Sequence, residues 1–123
     1  MESYINPYSY VGTILTKYDL INLVCEAILI PVNQLHRDRS DMAVDTRLII
    51  SYYLVNNGGI SINQLPNELG SKVQRSTLNS QLLKFDERYK YNSYFRNRFD
   101  RVRKKLKKLN IDEKNFKIVR TAQ

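Results

Sequence analysis

ISINQLPNELGSKVQRSTLNSQL, residues Ile60 to Leu82, decides the fold. Its spacing predicts two short helices joined by a glycine-containing turn. Ser61 can cap the first helix by accepting backbone N–H bonds. Ile62, Leu65 and Leu69 follow at intervals of three and four, so they share one face. Gly70 stands where that helix must end, at a position that favours a left-handed residue. A second apolar stripe follows at Leu78, Leu82 and Phe85. Two such helices form a helix-turn-helix, and the second one opens with Gln74, Arg75, Ser76 and Thr77. In that motif the start of the second helix meets base edges in the major groove. An ordinary helical hairpin is the alternative that this stretch alone leaves open.

Working outward, the charge is the next informative feature. The net charge is +8. From Met1 to Phe85 seven basic residues face seven acidic ones, whereas from Asp86 to Gln123 there are thirteen basic and five acidic residues. The whole excess therefore lies on the C-terminal third, as expected of a nucleic-acid binder. A charge run is equally often a solvated helix face. The 123 residues fit one domain with a core of its own. The one cysteine, Cys25, lies among Leu20, Ile21, Val24 and Ile28 and reads as a core residue in a reducing compartment. MESYINPYSY has neither the basic start nor the apolar run of a signal peptide. No stretch is apolar enough for the roughly 20 residues of a membrane span.

Along the chain, residues 1–15 form a Tyr-rich arm (Tyr4, Tyr8, Tyr10) without a clear period. Thr16 and Asp19 suggest a capping box opening a helix to about Leu29. Pro31 ends it and starts a short turn through Leu35. A polar connection, His36 to Asp41, leads to a helix from about Met42 to Val55 that NNGG (Asn56 to Gly59) terminates. After the helix-turn-helix come a polar joint, Asp86 to Asn92, and a long amphipathic helix from Ser93 to Leu109. Its apolar stripe is Phe95, Phe99, Val102, Leu106 and Leu109. The final KNFKIVRTAQ reads as extended tail or frayed coil. The expected fold is all-α, a compact domain of five to six helices in all: a helix-turn-helix domain over residues 16–85, and a basic amphipathic helix and tail over 86–123 packed on it.

In this order, the elements resemble the C-terminal DNA-binding domain of DnaA, the bacterial replication initiator. The resemblance covers about Tyr18 to Phe85. LINLVCEAI, IPVNQL, HRDRSDMAVDTRLIISYYL and ISINQLPNELG are similar to successive family segments, and VQRSTL (Val73 to Leu78) stands where the family's recognition helix opens. One extra residue separates Gly70 from Gln74. The resemblance implies that Gln74, Arg75 and Ser76 occupy base-reading positions, with Lys72, Thr77 and Asn79 beside them. It also implies that Arg37 or Arg39 enters the minor groove and that Arg47 contacts phosphate, unless it pairs with a carboxylate such as Asp45. Gln74 and Arg75 replace the family's Asp and His, so the initiator's own target sequence does not carry over. Gln suits adenine and Arg guanine. The initiator's ATPase loop, GxxxxGK[ST], is absent.

Catalysis is not expected. His36 is the sole histidine, metal-type Cys/His spacing is lacking, and Asp38, Asp41 and Asp45 alternate with arginines. No cofactor and no metal is expected. The expected partner is double-stranded DNA, bound by a cytoplasmic, nucleoid-associated regulator of transcription or replication in a bacterium or bacteriophage. Arg98, Arg101, Lys104, Lys105 and Lys108 would approach phosphates, with a log–log salt slope of roughly −5. Three other readings compete. The C-terminal stripe could join a homodimer or protein partner. The protein could package DNA or serve inside a particle without reading sequence. The basic helix could lie on a membrane surface, which internal packing of its stripe makes the weakest of the three.

Overall fold

A computed structural model describes residues 14–35, 40–69 and 74–119. The fold is all-α, with six helices and one small parallel sheet among the described residues. Strand β1 (Ile14–Thr16) leads into α1 (Lys17–Ile28). Thr16 forms the expected capping box: its hydroxyl accepts from the Asp19 N–H at 3.0 Å, and the Asp19 carboxylate accepts from the Thr16 N–H at 3.1 Å. Leu29 closes α1 in a left-handed conformation, and a 3₁₀ turn, Val32–Gln34, follows Pro31. Ser40 caps α2 (Asp41–Gly58), accepting from the Ala43 N–H at 3.2 Å. Gly59, at φ 64°, ends it in the left-handed region that glycine enters most cheaply.

Helix α2 is the axis of the molecule. It packs against α1 and against four later elements, the helices Leu65–Leu69, Arg75–Leu83 and Ser93–Lys108 and the strand Lys117–Val119. That central position explains why it lacks a clean polar face: Asp45, Thr46, Arg47 and Ser51 are buried alongside Leu48, Ile49, Ile50, Tyr53 and Leu54. Each buried polar group is hydrogen-bonded. Thr46 and Ser51 donate their hydroxyls to carbonyls one turn back, those of Met42 and Arg47.

After α2 a 3₁₀ turn, Ile62–Gln64, opens with a Ser61–Gln64 capping box and runs into α3 (Leu65–Leu69). Next come α4 (Arg75–Leu83), α5 (Phe85–Tyr91) and α6 (Ser93–Lys108). The expected polar joint from Asp86 to Asn92 is therefore a helix. Phe85 and Tyr89, four apart, turn one face of α5 onto Phe99, with ring centroids at 5.2 and 5.7 Å. Asp86 and Glu87 in its first turn and Arg88 and Lys90 in its last suit the helix dipole. Asn92 ends α5 and caps α6 by accepting from the Phe95 N–H at 3.0 Å. The α6 stripe is as expected: Phe95, Phe99, Val102 and Leu106 are buried and Leu109 is partly so.

Of its two expected forms, extended tail or frayed coil, the last segment takes the extended one. Lys117–Val119 forms strand β2, parallel to β1, with Ile14 opposite Lys117, Leu15 opposite Ile118 and Thr16 opposite Val119. Leu15, Ile111, Phe116 and Ile118 are buried, so the end of the N-terminal arm and the tail complete the core. Asn57 fastens the intervening loop, donating to the carbonyls of Glu113 and Phe116 at 3.0 Å each. The Glu113 carboxylate accepts from the Tyr53 hydroxyl at 2.9 Å and from Arg103 Nε at 3.0 Å. Burial first, and the Glu113 charge second, push the Tyr53 hydroxyl far above the ordinary phenol range.

Candidate nucleic-acid interface

Helix α4 carries the residues expected to read bases, and its packing determines which of them face outward. Leu78 is buried and Leu82 partly buried. Through them α4 rests on α2, α3 and α5. The helix is thereby held by its middle and its end. Its beginning is free: Gln74, Arg75, Ser76 and Thr77 are all exposed, and Asn79 is half-buried. Gln74 stands at the N-cap, and its side chain makes no capping hydrogen bond. The first-turn N–H groups of α4 are thus left without a side-chain cap from Gln74, at the end where the helix dipole favours an anion. In α3, Leu65 and Leu69 are both buried. Lys17 ties α3 to α1 through Glu68 at 3.4 Å.

The other candidates fall into three groups. Arg37, Arg39 and Lys72, with His36 and Gly70, lie outside the described residues. Arg47 faces inward rather than toward phosphate: only 9% of it is exposed, and its guanidinium donates to the Leu35 carbonyl, joining the 3₁₀ turn to α2. The Asp45 carboxylate is held by two arginines from later in the chain. Arg88 donates Nε and Nη2 to Asp45 Oδ1 at 3.2 and 2.7 Å. Arg98 donates Nη1 to Oδ2.

The α6 basic residues divide in the same way. Arg98 is held by Asp45, and Lys105 pairs with Glu26 of α1 at 3.2 Å. Arg101 is exposed, with one long bond of 3.5 Å to the Ile28 carbonyl. Lys104 and Lys108 are exposed, as is Lys107 between them. Arg96 donates to the carbonyls of Tyr89 and Lys90. Part of the +8 thus braces the fold, and part remains open to solvent.

The Asp45 pairing of α2, α5 and α6 escaped sequence reasoning. Its partners lie 43 and 53 positions away, beyond any local pattern. Helix α5 was within reach, since Phe85 and Tyr89 have helical spacing. Cys25 is buried, and desolvation pushes its thiol up to about 11, which suits a core residue and not a nucleophile. Among the described residues, no group of three His, Cys, Asp or Glu side chains could hold a metal ion, and no helix is long and apolar enough to cross a membrane. No family model, curated protein or solved structure matches this chain.

Proposed function

We propose that the chain binds duplex DNA through α3 and α4, with the start of α4 in the major groove, as a sequence-reading regulator. One observation carries the reading: the first turn of α4 is open across Gln74, Arg75, Ser76 and Thr77 while Leu78 fixes the helix on α2. Gln and Arg are the side chains suited to bidentate contact with adenine and guanine. The resemblance of Tyr18 to Phe85 to the initiator's DNA-binding domain supports the same orientation. Arg101, Lys104, Lys107 and Lys108 are available for phosphate contacts that position the protein without reading sequence.

Selection from randomised duplex DNA tests this directly. A recovered motif whose preference disappears in the Gln74→Ala, Arg75→Ala double variant is the expected result, each good bidentate contact being worth about 1–3 kcal/mol. A pool that never converges would point instead to sequence-independent packaging or to a protein partner.

A further inference from the structure

A second surface lies along α5, toward the other end of α4. A cleft of about 380 Å³ runs between the last turns of α4 and the length of α5. Gln81, Lys84, Glu87, Arg88, Tyr91 and Asn92 are among its lining residues. Two features distinguish it from ordinary surface. Arg88 is fixed, because two of its nitrogens share one oxygen of Asp45, a carboxylate only 1% exposed. The Arg88 side chain is 34% exposed, so a guanidinium held in place remains on the lining. With Arg98 also on Asp45, one carboxylate faces two guanidinium charges and the cluster keeps a net positive charge.

The second feature is aromatic. Tyr91 and Tyr94 are 74% and 73% exposed, at the end of α5 and the start of α6. Cations accompany both: Lys90 Nζ lies 5.4 Å from the Tyr91 ring centroid, and Arg98 lies 6.0 Å from that of Tyr94. Exposed rings beside basic side chains are what an unpaired base and its phosphates require. Duplex bases are already stacked on one another and cannot use them.

We propose that this cleft binds a single-stranded nucleic-acid segment. A base stacks on Tyr91, and the adjoining phosphates meet Arg88 and Lys84. Gln81 and Asn92 offer amide donors and acceptors to base edges, and Glu87 can accept from a base N–H such as N3–H of thymine. The proposal does not depend on the duplex reading, because none of these residues belongs to the first turn of α4.

The test is fluorescence anisotropy of a labelled twelve-nucleotide oligo(dT) with the full chain at low salt. Tyr91→Ala should weaken binding about 5- to 100-fold, and Tyr91→Phe should keep it, since the ring and not the hydroxyl stacks. Lys84→Ala should weaken binding and flatten its salt dependence. Tyr91 is exposed, so an unchanged thermal melt will show that its variants fold. Gln74→Ala with Arg75→Ala should leave oligo(dT) binding intact, so the two readings fail separately. The inference is overturned if oligo(dT) does not bind, if Tyr91→Ala binds as tightly as the wild type, or if an abasic strand of equal length binds equally well. It is also overturned if mononucleotide dTMP binds as tightly as the strand, which would make the cleft a free-nucleotide site.

Discussion

Asp45 shows how one residue can couple elements that the sequence keeps apart. It sits in the second turn of α2, buried in the core. The fold then brings Arg88 of α5 and Arg98 of α6 to its two oxygens. Removing one member of a buried ion pair strands the others. Asp45→Asn should therefore cost about 3 kcal/mol in urea unfolding, at the lower end of the range because a third of the Arg88 side chain reaches water. A loss under about 1 kcal/mol would mean that the triad does not hold the helices together. Cys25 gives a prediction in pH. Its folded pKa is raised to about 11 from 9.0. The stability from burying the neutral thiol is whole below about pH 9 and falls away between 9 and 11, as the unfolded chain ionises first. Tyr53, shifted in the same direction, adds to the alkaline loss. A Cys25→Ala variant should lose less stability than the wild type over that interval.

At the scale of elements, what could be read depended on whether the signal was local. The capping box at Thr16, the helix start after Ser61 and the α6 stripe are local signals and appear where their spacing puts them, while α2 runs three residues past Val55 before Gly59 stops it. Helix α5 had a local signal in the spacing of Phe85 and Tyr89, but four charged residues among seven made it read as a polar joint. The role of α2 was hidden because a helix covered on most sides has no outer face to show. The α6 charges were legible as a group but not in their individual fates, since the pairing of Lys105 with Glu26 and Arg98 with Asp45 is tertiary. Their capture lowers the expected salt slope for duplex binding from roughly −5 to roughly −3 or −4, measured by titration between low and moderate salt. The two glycines after Asn57 should behave oppositely. Gly59 at φ 64° has open space around it, so Gly59→Ala costs only backbone strain, about 1 kcal/mol. Gly58 is helical, and a methyl there would meet Ile118 Cβ at 3.4 Å, an ordinary contact. Gly58→Ala should be neutral or stabilising by under about 1 kcal/mol. Urea midpoints in the reverse order would refute both assignments.

For the whole molecule, the small sheet settles how the chain is closed. Leu15 and Ile118, partners across the two strands, are both buried against the helices. Ile118→Ala should destabilise by about 2–4 kcal/mol in the same urea assay, the usual cost of truncating a buried isoleucine. Nothing near either strand in sequence foretold this, because a hundred residues separate them and three-residue strands leave almost no alternation to detect. The pairing also has a mechanical meaning. In a parallel pair, tension applied ahead of Ile14 and beyond Val119 pulls along the strands in opposite senses, so the ladder is sheared and its bonds resist together instead of opening one at a time. The small two-stranded sheet is thus placed to act as a clasp, making the domain stiffer when stretched from beyond its two strands than its helices alone would suggest.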